Sequence, residues 1–142
     1  MIKNNSNNKS SLKAIREREQ AERETTLRSK CEEYAIKKVG DAEKLTSLSN
    51  KNKGLWYLPV LDEEENVVKM LILKPIDRNI LSFASTKLQD DGLYSFLESA
   101  MRECTIAEFS DMDIIDDDEY FIPAANSFNK ILDGKKTAML KR

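Results

Sequence analysis

Leu55-Trp-Tyr-Leu-Pro-Val-Leu61, then Asp62-Glu-Glu-Glu-Asn66, then Val67-Val-Lys-Met-Leu-Ile-Leu73 is the stretch that decides the fold class. Two short runs of apolar, aromatic and β-branched residues flank five polar ones, which is the pattern of an antiparallel β-hairpin. Pro59 has no N–H to give to a ladder, so the first strand is expected at an edge or at a bulge. Lys74-Pro75 ends the second strand, because a residue before proline avoids the α region. A lone hairpin is marginally stable in water, so one of its faces must pack on helices.

Those helices are legible downstream. Ile76, Ile80, Phe83, Ala84 and Leu88 step along one helical face, Asp90-Asp91-Gly92 is turn chemistry, and Leu93, Leu97, Ala100, Met101 and Cys104 make a second face. An acidic loop leads to a last helix carrying Phe121, Ala124, Ala125, Phe128, Ile131 and Leu132. Pro123 requires either that this helix begin close to it or that the opening turn be distorted. Gly134 is placed to end the helix, and Lys135–Arg142 form a basic tail that could extend it.

Upstream the composition changes. Residues 1–53 hold 13 Lys+Arg against 8 Asp+Glu, residues 54–142 hold 10 against 17, and Tyr34 is the one aromatic residue before Trp56. A basic arm, residues 1–53, therefore precedes an acidic α+β domain, residues 54–142. In the arm, residues 1–9 are Asn-rich and have too little apolar surface to offset ordering entropy, so they are expected to be disordered in isolation. A helix is expected from about residue 11, capped by Ser10 or Ser11, to residue 39, before Gly40. Its middle, Arg16-Glu-Arg-Glu-Gln-Ala-Glu-Arg-Glu24, has no apolar stripe and leans on the pairs Glu19–Arg23 and Glu24–Arg28. Leu27, Cys31, Tyr34, Ala35 and Val39 recur at helical spacing and need a body or a partner to dock on. Residues 40–53, rich in Ser, Asn and Lys, read as a linker. The fold class expected is α+β, a β-hairpin packed on a three-helix body and preceded by a long, mostly polar N-terminal helix.

The chemistry available is narrow. The 142-residue chain has a formal charge of -2, 34% charged and 40% apolar residues, and no histidine, the side chain most used as a general base or zinc ligand near neutral pH. Cys31 and Cys104 are too few for a disulfide framework and sit on apolar helix faces, where a small buried hydrophobe is the plain reading. Gly40, Gly54, Gly92 and Gly134 are too widely spaced for a phosphate loop. Asp111-x-Asp113 could open an EF-hand loop, but Ile115 takes the next ligand position, Asp116 stands where glycine is required and position twelve lacks a glutamate. Helix capping and first-turn acids explain Glu108–Glu119 more simply. The run Asp62–Glu65 has no apolar surroundings to move its pKa values toward neutrality. No catalytic residue, metal or cofactor is therefore expected, nor a membrane span or secretory leader.

Binding residues are the remaining candidates. Arg16, Arg18, Arg23, Leu27, Arg28 and Tyr34 on the arm, with Trp56 and Tyr57 on the hairpin, are the set expected to meet a partner, since Trp, Tyr and Arg anchor interfaces. A nucleic-acid partner is disfavoured because acids nearly match bases through the middle of the arm.

From Leu55 onward the order of features resembles small proteins of tailed phages of Bacteroidetes-type hosts, associated with tail assembly chaperones. The residues that carry the resemblance are Trp56-Tyr-Leu-Pro-Val60, Leu73-Lys-Pro-Ile-Asp-Arg78, Leu97 with Glu103-Cys-Thr-Ile106, and Asp116-Asp-Asp-Glu-Tyr-Phe121 opening the last helix. Ala107-Glu-Phe-Ser110 departs from the family's Gly-Gly-Asp-like turn, and the arm has no counterpart. The resemblance implies a small, non-catalytic protein that binds a helical, aggregation-prone segment of a phage tail or structural protein in the host cytoplasm during assembly. The added arm implies an alternative, a virion component whose arm orders on neighbouring subunits, with self-association as part of that picture. A regulator touching nucleic acid or polymerase through the arm is the third reading.

Overall fold

The computed structural model describes residues 2–132, with side chains for residues 11–88 and 91–132. Gly134 and the tail Lys135–Arg142 lie outside the described residues. The chain runs α1 (Ile2–Val39), α2 (Ala42–Lys51), β1 (Trp56–Leu61), β2 (Val67–Leu73), α3 (Arg78–Asp91), α4 (Leu93–Cys104), a 3-10 turn (Ala107–Phe109), α5 (Asp113–Asp116) and α6 (Asp118–Leu132). This is the expected α+β architecture of hairpin, helical body and long N-terminal helix.

β1 and β2 pair antiparallel, with Leu58 opposite Leu71, Pro59 opposite Met70, and a register shift between Val60 and Leu61. Asp62 shapes the connecting loop: its carboxylate accepts the N–H groups of Glu64 and Asn66, both at 2.9 Å. The far edge of β2 is closed by the segment after α4. Met70 N–H donates to Asp111 Oδ2 (3.0 Å) and Ile72 N–H to Ser110 Oγ (2.9 Å), while Ile106 N–H donates to the Ile72 carbonyl (2.8 Å). Met70 and Ile72 thus turn their backbone groups away from β1. Pro59 consequently sits opposite Met70 in a non-hydrogen-bonded pair, where its missing N–H costs no ladder bond. The edge-strand expectation for Pro59 holds, whereas the register shift leaves its extra residue, Val68, in β2 and not in the strand that carries the proline.

The hairpin is covered on both faces. Leu58, Leu71 and Leu73 pack against Ala84, Leu97, Met101, Ile114, Phe121 and Phe128 of the C-terminal helices. Met70 and Ile72 face the other way, into a second cluster with Cys31, Ala35 and Leu45. Burial on two sides explains why Met70-Leu-Ile-Leu73 is an unbroken apolar run rather than an alternating one. α6 buries Phe121, Ala124, Ala125 and Phe128, the stripe expected of it. It starts at Asp118 and continues through Pro123, so the helix does not begin at the proline. Pro123 is exposed, where solvent can reach the carbonyl left without its N–H partner. On α3, Phe83 and Leu88 lie outside the core, while Ala84 is buried in it and Ile80 packs against it.

The arm differs from its sequence reading in three ways. Residues 2–10 carry helical backbone in place of a disordered opening and a Ser10 or Ser11 cap, since no Gly or Pro interrupts Ile2–Val39. Residues 40–53 are not a linker: Gly40 (φ 126°) ends α1, and Asp41 caps α2 by accepting the Lys44 N–H at 2.8 Å. Leu45 of α2 is buried in the second cluster, and this packing makes a Ser- and Asn-rich segment helical. Finally, residue 53 marks a boundary in charge but not in packing, because Cys31, Ala35 and Leu45 complete one face of the hairpin core.

Candidate protein-binding groove

The second half of α1 is locked onto the body by one carboxylate. Asp111 Oδ2 accepts the Tyr34 hydroxyl at 2.5 Å and Asp111 Oδ1 the Lys38 ammonium at 2.7 Å, while the same side chain holds the Met70 N–H. Burial by itself raises the Asp111 carboxyl, but the Lys38, Tyr34 and Met70 donors outweigh it and hold the group below its ordinary value. Burial, then the bond to Asp111, pushes the Tyr34 phenol upward, so it remains a donor through the neutral range. Lys30 Nζ adds a contact at the hairpin tip, donating to the Glu65 carbonyl at 3.0 Å.

Because Asp111 is more acidic folded than unfolded, its contribution is fully present above the unfolded value of 3.8 and disappears as pH falls through the lower folded value. Asp111→Ala is expected to cost about 1–3 kcal/mol at neutral pH, through the orphaned Met70 N–H and the lost ion pair. Urea unfolding at pH 7 and pH 3 checks it, since the gap to the unaltered protein should shrink at the lower pH.

Three further carboxylates of the acidic stretch are similarly occupied. Lys69 pairs with Asp113, Arg102 Nη2 reaches Asp116 Oδ1 at 2.7 Å, and Asp117 Oδ1 accepts the Glu119 N–H at 3.0 Å at the start of α6. Among the described residues, no three Asp, Glu, Cys or His side chains converge as a metal site would require. Neither cysteine has thiolate character: burial, then Glu32, raises Cys31, and burial pushes Cys104 up to about 11.

An open groove of about 660 Å³ lies where α1, α2 and β1 meet. Leu27, Cys31, Leu45, Leu55 and Pro59 give it an apolar floor, and Trp56, 47% exposed, stands at its lip. Tyr57 is half-buried beside it and donates its hydroxyl to Glu32 Oε2 at 2.8 Å. Burial, followed by this bond, raises the Tyr57 phenol, so the tyrosine is a fixed donor that ties β1 to α1. Among the described residues, the outer edge of β1 at this wall has no backbone partner, since the far side of β2 is the one that is closed.

The structure sorts the residues expected to bind a partner. Leu27, Arg28, Trp56 and Tyr57 come together in the groove. Arg23 lines a neighbouring crevice with Leu61 and Glu65 at the hairpin tip, and Arg16 and Arg18 stand on the exposed part of α1. Tyr34 belongs to the Asp111 lock instead. Sequence reasoning missed the α2 wall, Leu45, Thr46 and Ser49; the signal present was Asp41 followed by Ala42, Leu45 and Leu48 at three-residue steps. No protein-family model, curated protein or solved structure matches this chain. No helix among the described residues is long and apolar enough to cross a membrane.

Proposed function

We propose that this protein is a non-catalytic morphogenesis factor of a tailed phage, resembling the tail assembly chaperones, which holds a helical segment of a tail component. The groove between α1, α2 and β1 carries the binding mode: an apolar floor is left open, with a half-exposed tryptophan at its lip. A helix laid over such a floor inserts its apolar face, and Trp56 and Tyr57 supply the anchors. The phage setting rests on the resemblance over residues 55–142. The excess of acids in the same residues favours solubility while an apolar partner is held. Absence of histidine and two buried, protonated thiols support a non-catalytic role.

The second reading, a virion component, is favoured by the arm, because every residue from Ser11 to Thr26 is exposed. A nucleic-acid role gains little there, since Lys13, Arg16, Arg18 and Arg23 are matched by Glu17, Glu19, Glu22 and Glu24.

Pull-down from infected cells, with the captured protein identified by mass spectrometry, tests the proposal. A tail component is expected, and Trp56→Ala should weaken its capture by about tenfold or more, the loss of an anchor worth about 1.4 kcal/mol or greater. Capture of the same protein undiminished by Trp56→Ala would remove the groove from the mechanism. Stoichiometric copies in purified particles would replace the chaperone by the virion reading.

A further inference from the structure

Charge is unevenly spread along α1. Over residues 11–18, Lys13, Arg16 and Arg18 stand against one acid, Glu17. Over residues 19–33 the balance reverses, with Glu19, Glu22, Glu24, Glu32 and Glu33 against Arg23, Arg28 and Lys30. The acidic stretch is the part that walls the groove and the crevice next to it. Among the described residues nothing covers the basic end, which presents Leu12, 55% exposed, and Ile15, 40% exposed, three residues apart and so on one side of the helix. Leu12 lies about 22 Å of helix away from Leu27, where the groove begins. No Gly or Pro breaks α1, so this end cannot fold back into its own groove. A complementary basic, apolar helix end is available to the groove from another copy.

We propose that the groove between α1, α2 and β1 receives the Leu12–Arg18 end of α1 from a second copy of this chain. Leu12 and Ile15 enter over Leu27, Leu45, Leu55 and Trp56, while Lys13, Arg16 and Arg18 meet the glutamates of the receiving α1. The surface offered differs from the surface that receives, so the contact is heterologous and copies join head to tail. It rests on the groove being a helix-binding site, as in the proposed function, and makes a foreign helix a competitor of the arm.

Sedimentation of the purified full chain tests the inference. Association that grows with concentration is expected, weakened about tenfold or more in about 1 M salt, where the Debye length is about 3 Å. A chain carrying Leu12→Glu and Ile15→Glu, and a separate chain carrying Trp56→Glu, should each sediment as monomers. All three positions are exposed, so both chains should keep the circular dichroism of the unaltered protein. Mixed in equal amounts they should form a heterodimer and nothing larger, because one intact helix end and one intact groove remain. Arg16→Glu should weaken association in low salt and have little effect in high salt. A full chain that stays monomeric at every concentration would overturn the inference, as would association that persists in either altered chain or a mixture that fails to pair. Those outcomes leave the capture of a tail component by the groove to be judged by its own pull-down, and loss of that capture leaves self-association standing.

Discussion

A chain lacking residues 1–53 is expected to lose cooperative folding, although the remaining residues contain the hairpin and all of the C-terminal helices. Removing α1 and α2 uncovers Met70 and Ile72, both fully buried in the intact protein, and strips cover from Tyr57. Each large apolar side chain returned to water costs about 1.5–3 kcal/mol, and a domain of this size is stable by only about 5–15 kcal/mol. The Asp111 lock disappears at the same time, leaving its carboxylate without Tyr34 and Lys38. The shortened chain should bind a hydrophobic dye, lose near-ultraviolet dichroism and unfold without a sharp transition. A fragment with a urea midpoint equal to that of the full chain would show that the arm is an appendage after all.

Leu71→Ala is the second large effect. Leu71 is fully buried on the face of β2 turned to the C-terminal helices, in the cluster that contains Leu97, Met101 and Phe128. Truncation leaves a cavity that this crossing of strand and helices cannot fill without moving two layers, so a loss of about 2–5 kcal/mol is expected. Val68→Ala in the same strand is the control. Val68 is half-exposed, and its truncation should cost about 0.5 kcal/mol or less. Urea denaturation at constant m-value separates the two. Equal midpoints for both variants would contradict the burial of Leu71 and with it the two-sided packing of the hairpin.

These two expectations come from different depths of reading. The hairpin was legible because short β-rich runs around Asp62–Asn66 have few other solutions, and the missing N–H of Pro59 has the same consequence in any fold. The faces of α4 and α6 were legible because an apolar stripe at helical spacing must be buried, except that Leu93, expected on the α4 face, is exposed at the first turn of that helix. α2 was hidden because Asp41–Asn52 has little apolar content: Leu45 earns its burial only once α1 and β2 are in place beside it. Tyr34 lies on a face that could dock on the body or on a partner, and the choice was hidden because Asp111, its bonding partner, is 77 positions later.

The candidate groove was legible in part. Leu27, Arg28, Trp56 and Tyr57 could be singled out by residue type, since large aromatic and guanidinium side chains on sparsely covered elements are natural anchors. That they form one surface with α2 follows from the hairpin lying between two helical layers, which no local pattern encodes.

From its order of residues alone, this protein was bound to have an antiparallel hairpin, amphipathic helices after it and a polar helix before it. Periodicity, proline and side-chain type act over a few residues, so a linear reading captures them. Tertiary structure decided that both faces of the hairpin are covered, that residues 42–51 are helical, and that the arm joins the core through Cys31, Ala35 and Leu45 while Ser11–Thr26 are exposed. Those outcomes depend on apolar area and hydrogen bonds shared between segments far apart in the chain, such as Tyr34 with Asp111 and Leu45 with Ile72, and exist only once the segments meet.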